Sequence, residues 1–304
     1  MTQKPSAKTS PEQTQNIFGM PLAIFGVPVD RDTIFKNAKG VYKEKIEKRQ
    51  RKLIAKVSFI KFFLHHGECI RCVTTAYSPI GILEQVLTGP AFLFFKRALL
   101  VFTDKRVLHV PTRFSRSSHS SVSQIRYEDC AGIILKGRSL IVHYKNDLKE
   151  TFPYLGRKEK KKIASLLKEL TFTPKEVGRL QSRAYLCPSC TNILEDNTTV
   201  CPSCKLRFKS TLQAKIRSWL IPGGGYFYSR HTLAGIVAGT LECVLMGYLI
   251  YQWISYKQGL SISLGWPAIC IVALLIEKSI VTFHALLLIK ERMPEKKDYP
   301  QRKI

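Results

Sequence analysis

The stretch Leu233-Ala-Gly-Ile-Val-Ala-Gly-Thr-Leu-Glu-Cys-Val-Leu-Met-Gly-Tyr-Leu-Ile-Tyr-Gln-Trp-Ile254 holds one charged residue, Glu242. A second apolar stretch, Leu264–Ile289, follows it and is interrupted by Glu277, Lys278 and His284. At ~1.5 Å rise per residue each exceeds the ~30 Å hydrocarbon core of a bilayer, so the pair predicts a transmembrane helical hairpin over 231–289. Buried core helices are the alternative, and the flanks argue against them. Trp253, Tyr256 and Trp266 cluster at one end, and Trp219, Tyr226 and Tyr228 precede the other, as interfacial aromatics do. Lys205, Arg207, Lys209, Lys215, Arg217 and Arg230 come before the hairpin, and Lys290, Arg292, Lys296 and Lys297 after it, whereas the turn holds only Lys257. The positive-inside rule then places two spans in the cell (inner) membrane with both termini cytoplasmic, including a basic cytosolic tail over 290–304.

Folding the chain about its turn brings Glu242 and Lys278 to the same depth. A lone charge there costs at least about 2.5–3.5 kcal/mol, so an intramembrane ion pair between them is expected. A contact between protomers and a proton-relay role are the competing readings. Upstream, Leu212, Ile216, Trp219 and Leu220 share one helical face, which predicts an interfacial helix over 212–221 lying on the anionic leaflet. It ends at Pro222-Gly-Gly-Gly225. The run from Pro222 to Gly235 resembles the lead-in of small two-helix membrane domains, a likeness that implies anchoring.

Cys187-Pro-Ser-Cys190 and Cys201-Pro-Ser-Cys204 stand ten residues apart. Each C-x-x-C can form a knuckle presenting two thiolates, and two knuckles complete a closed tetrahedral site, so structural Zn is the expected cofactor over 183–210. Paired redox motifs would need a βαβ context that this stretch lacks. The segment resembles the short zinc ribbons of many bacterial and archaeal membrane or regulatory proteins. Cys69-Ile-Arg-Cys72 has no second pair nearby and reads as ordinary strand.

Between 67 and 172 the pattern is short strands closed by a helix. Ala98–Thr103 and Val107–Val110 flank Asp104-Lys-Arg106 as a hairpin. Further strands are expected over Ser121–Tyr127, Ala131–Leu135, Ser139–Tyr144 and Lys149–Pro153, then a helix over Lys158–Leu170. This order resembles the bacterial PH/GRAM-like group of pleckstrin-homology domains, in Gly67-Glu68 and in Thr103-Asp-Lys-Arg106, with an unusual insert over Tyr77–Pro90. The resemblance implies a β-barrel with a closing helix that binds membranes, lipids or proteins without catalysing. The expected fold class is therefore a multidomain α+β membrane protein. A serine-rich loop, Ser115–Ser121, is assigned no chemistry.

Ahead of this domain, 1–35 reads as a disordered or loosely docked segment containing a small repeat, Phe18-Gly-Met-Pro21 and Phe25-Gly-Val-Pro28. A basic amphipathic helix is expected over 36–64. The net charge of +26, from 48 Lys+Arg against 22 Asp+Glu, lies wholly outside the hairpin, where Glu242, Lys257, Glu277 and Lys278 cancel. Such a field favours anionic partners. The lipid- or anion-facing candidates are Lys48, Arg49, Arg51, Lys52, Lys105, Arg106, Lys160 and Lys161, with Lys96, Arg97, Arg113 and Arg116 nearby. No phosphate loop, nucleophile elbow or metal-catalytic helix is present. The expectation is a non-enzymatic adaptor or sensor engaging anionic lipid headgroups and a protein partner. The alternative is a membrane-tethered nucleic-acid-binding protein using the ribbon and basic helices, and a homo-oligomer is left open.

Overall fold

In the computed structural model the described residues are 22–81, 84–86, 89, 95–112, 121–170, 182–195, 198–258 and 265–295. The expectations for Arg113, Arg116, most of the serine-rich loop, much of the 77–90 insert, residues 1–21, part of the hairpin turn and the tail after 295 fall outside them.

The run Arg97-Ala-Leu-Leu-Val-Phe-Thr103 is apolar on both faces because both faces are covered. It forms β4, and its neighbour is β5 (Arg106–Pro111), paired antiparallel with Leu99 opposite Val110 and Leu100 opposite His109. β3 (Ile70–Tyr77) flanks β4, and β6 (Val122–Arg126) flanks β5. Leu99, Val101, Leu108 and Val110 point to one core, and Leu100, Phe102 and Val107 to another. The large sheet is thus a middle layer, which explains a continuous hydrophobic run in place of an alternating one.

The first core is closed by the N-terminal segment. β1 (Leu22–Ile24) and β2 (Val27–Val29) form a hairpin whose turn, Phe25-Gly26, has both φ angles positive. Val29 pairs in parallel with Ile70, and Asp30 caps α1 (Arg31–Ile34). Ile24, Val27, Val29, Ile34 and Phe35 are core residues, so from residue 22 onward this segment is not loosely docked. The helix expected over 36–64 is shorter. Asn37 Oδ1 accepts from the Lys39 and Val41 N–H groups and Gly40 is left-handed, giving a turn that returns Tyr42 to pair with Lys36. α2 then runs Glu44–Lys56, and a 3₁₀ turn covers Ser58–Phe62. Gln50 fastens α2 to β3 by exchanging two 2.9 Å bonds with the Val73 backbone.

The second core lies under a three-stranded sheet, β7 (Cys130–Lys136), β8 (Ser139–Tyr144) and β9 (Lys149–Phe152), closed by α3 (Lys160–Glu169) through Ile163, Leu166 and Leu167. The two sheets do not join into the closed barrel that was expected. A 3₁₀ turn at Tyr127–Asp129 breaks the ladder between β6 and β7, and β6 offers its free edge to β10 (Ala184–Leu186) instead. At the opposite corner the sheets touch through single bonds, Tyr77 N–H to Pro153 O and Gly156 N–H to Thr75 O. The result is a mixed α+β fold with a large open sheet.

The C-terminal part is helical: α4 (Thr211–Leu220), α5 (Gly224–Tyr228), α6 (Thr232–Lys257) and α7 (Gly265–Ile289). The last two are long and apolar enough to cross a membrane. The start of α6 adjoins the end of α7, with Arg230 donating to the Pro294 and Glu295 carbonyls, so they form a hairpin. α4 does not stand apart as a surface helix: its buried residues Ala214 and Ser218 pack it along α7.

Candidate metal centre and buried charge networks

The two cysteine pairs fold as near-identical knuckles. In each, the residue four past the first cysteine donates its N–H to that cysteine's carbonyl (Thr191 to Cys187, 2.9 Å; Lys205 to Cys201, 3.0 Å) and adopts a left-handed conformation. The first cysteine's own N–H bonds back to Asn192 O or Leu206 O, at 2.8 Å each. Both loops therefore turn their thiols inward. Sγ separations are 3.5 Å for Cys187–Cys204 and for Cys190–Cys201, and all four lie within 4.8 Å of one another. A tetrahedron of thiolates about a metal at ~2.3 Å has edges of about 3.8 Å, so the set fits one ion with no protein position left open. Among the described residues it is the one such group. Leu194 and Phe208 pack beside it as a small core.

The ribbon is not an independent bead. β10 extends the large sheet, with Tyr185 opposite Ser123, and β11 (Ile193–Leu194) extends it again. On its other side Phe208 pairs with Pro294, Lys209 N–H donates to Met293 O, Glu295 N–H to Arg207 O, and Arg292 reaches the Thr198 and Glu195 carbonyls. The centre is thus tied both to the sheet and to the residues that leave α7.

A buried polar network crosses the same junction. Glu291, two residues beyond α7, faces Arg183 at 3.6 Å and Lys96 at 3.8 Å, and Arg183 also faces Glu150 at 3.4 Å. Arg183 donates to His109 Nδ1 at 2.9 Å. Guanidinium has no acceptor, so Nδ1 must accept and the ring proton sits on Nε2, donating to Ser78 Oγ at 2.9 Å. Burial, then the Arg183 charge, pushes the His109 imidazole down to about 3, keeping it neutral. Burial alone would raise the Glu291 carboxyl, but the Arg183 and Lys96 charges outweigh it and hold it at about 2.

The expected basic surface divides. Lys48, Lys52, Lys105 and Lys161 are exposed, while Arg49, Arg51 and Lys160 are half-buried. Lys48 pairs with Glu44 at 2.7 Å and Arg51 with Glu47 at 2.8 Å. Arg49 turns inward to Glu159 at 2.5 Å. Arg106 is not a surface residue at all: it is 3% exposed and forms a fork on Glu68 at 2.8 and 3.0 Å, with Gln124 and the Phe63 carbonyl accepting two further bonds. Lys96 is likewise buried. These corrections share one cause, since a buried carboxylate from a distant segment reclaims each side chain, and such a partner is invisible in local sequence.

Glu242 and Lys278 are brought together as an ion pair, both buried between α6 and α7. Each has a second role that sequence reasoning missed. Lys278 Nζ donates to Ser218 O at 3.0 Å, at the last turn of α4, and Glu242 Oε1 accepts from Gly223 N–H at 3.2 Å, just before α5. The triple glycine was the available signal for so close an approach.

Comparisons of the chain with protein-family models, with curated proteins and with solved structures found no match.

Proposed function

We propose that this chain is a membrane-anchored, non-enzymatic, cytosol-facing adaptor or sensor. In this reading the cysteine centre holds structural zinc, the two-sheet domain acts as a PH-like module, and exposed lysines engage anionic headgroups beside a protein partner. The supporting observation is the fusion of sheet, ribbon and hairpin end through β6–β10 and the Lys209–Met293 and Phe208–Pro294 pairings. A domain hinged on a loose linker could face any direction; one bonded to the end of a membrane helix presents a fixed surface to the leaflet. On that domain α2 exposes Lys45, Lys48 and Lys52 along one stripe, where basic contacts of about 1 kcal/mol each would add up on an anionic surface. The buried acids and bases favour a scaffold over a catalyst, because Glu68, Glu291 and His109 are each engaged by internal partners.

The test is lysine acylation footprinting of the full zinc-loaded chain in nanodiscs of phosphatidylcholine, with and without phosphatidylglycerol, with RNA as competitor. Protection of Lys48, Lys52, Lys105 and Lys161 in the anionic discs that persists with RNA is the expected result. Protection by RNA that falls steeply with salt would favour the nucleic-acid reading. Equal reactivity throughout would remove the headgroup assignment.

A further inference from the structure

We infer that residues 211–230 form a re-entrant helical hairpin that dips to mid-bilayer and presents its outer face to the acyl chains of the cytosolic leaflet. The inference rests on α6 and α7 being membrane spans.

Depth follows from contacts. Ala214 packs with Ala285 and Ile289 at the end of α7, whereas Ser218 O is bonded by Lys278. Lys278 lies eleven residues before Ile289, about 16 Å along a helix at ~1.5 Å per residue, which is roughly half the ~30 Å core. Gly223, in the turn, reaches Glu242, ten residues and ~15 Å into α6. α4 therefore descends, the chain reverses at Pro222-Gly223-Gly224, and α5 climbs back to Tyr228.

A chain reversal at that depth exposes backbone groups that lipid cannot satisfy. Here the ion pair meets part of that need: Lys278 serves a carbonyl at the end of the descending helix, and Glu242 an N–H at the start of the ascending one. Glycine is required because a Cβ at Gly223 would overlap the Gly235 carbonyl oxygen, and one at Gly224 the Arg217 carbonyl oxygen. The Arg217 side chain of the descending helix is drawn back toward the surface, its guanidinium 4.7 Å above the Tyr228 ring at the cytosolic end.

One stripe of the outer face is apolar and open. Leu212, Ile216, Trp219, Leu220 and Ile221 are all exposed, continuous with the exposed Leu233, Ile236 and Val237 of α6. An outward groove runs between Pro222, Phe227, Ile236, Cys243 and Val244. Water would not tolerate such a surface on a helix held beside a membrane span; acyl chains cover it without cost.

Trp219 makes the inference measurable, because the chain has only two other tryptophans, Trp253 and Trp266, both toward the far end of the hairpin. The full chain would be reconstituted in phosphatidylcholine–phosphatidylglycerol vesicles whose acyl chains carry bromine near the glycerol or near the methyl end. With W253F/W266F, Trp219 should be quenched several-fold more by the deep bromines; with W219F/W266F, Trp253 should favour the shallow ones. Trp219 quenched best by shallow bromines and by aqueous iodide would overturn the re-entrant hairpin while leaving the spans intact. Indifference of both Trp219 and Trp253 to every brominated lipid would overturn the spans and the inference with them.

Discussion

Glu242 and Lys278 do two things at once, and that distinguishes them from a simple pair of opposite charges. A bare ion pair survives exchange of its partners. Here Glu242 accepts an N–H and Lys278 donates to a carbonyl, so exchange would put an ammonium against a donor and a carboxylate against an acceptor. Either E242Q or K278M alone is expected to lose about 3–5 kcal/mol by stranding a buried charge or backbone group. The double swap E242K/K278E is expected not to recover it, as read by thermal unfolding in detergent; full recovery would reduce the residues to a generic pair. Away from the two long apolar helices, His109 and Glu291 set a pH dependence. The folded imidazole stays neutral down to about 3 against an ordinary 6.5, so stability falls as pH drops below 6.5, by at most about 1.4 kcal/mol per pH unit. Glu291 adds a second loss between its ordinary 4.5 and about 2, where its carboxylate finally takes a proton. H109Q should flatten the first of these slopes in melting temperature against pH and leave the second; unchanged slopes would show that the network does not titrate as described.

At the scale of elements, the glycine turn is where one methyl group matters most. G223A is expected to cost about 2 kcal/mol or more, since the residue has φ +64° and its Cβ would meet backbone and not a flexible side chain. G247A, on the same helical hairpin with nothing within 4 Å of its Cβ, should be neutral or slightly stabilising, and melting curves of the two variants decide the point. What could be read from sequence follows the same logic of local against distant causes. The 97–111 hairpin, the strand at 139–144, the cysteine knuckles and the two long apolar helices were legible because each is specified within its own contiguous stretch by periodicity, turn chemistry or spacing. The reach of β10 to the edge of β6 was not legible, because sixty residues separate partners chosen by shape. Nor was the fate of Arg106 and Arg49, whose carboxylates lie 38 and 110 residues away. The helix expected to begin at 36 did leave a trace, in Asn37 and Gly40, that the run of lysines obscured.

Among the described residues, one continuous set of bonds leads from the apolar helical hairpin through the ribbon into the large sheet, so hairpin, cysteine cluster and sheet domain share a single orientation. Under the function we propose, that orientation would place the turn of the hairpin on the outer side and the sheets and ribbon in the cytosol. Lys257, exposed at the end of α6, is the only lysine of the hairpin turn. The most direct measurement is therefore labelling of intact spheroplasts expressing the chain with a membrane-impermeant amine reagent, read by peptide mass spectrometry. Modification of Lys257 before permeabilisation, and of Lys48, Lys52 and Lys161 only after it, is the expected result. Labelling of Lys48, Lys52 and Lys161 in intact cells, with Lys257 protected, would contradict the orientation and the cytosol-facing role that depends on it.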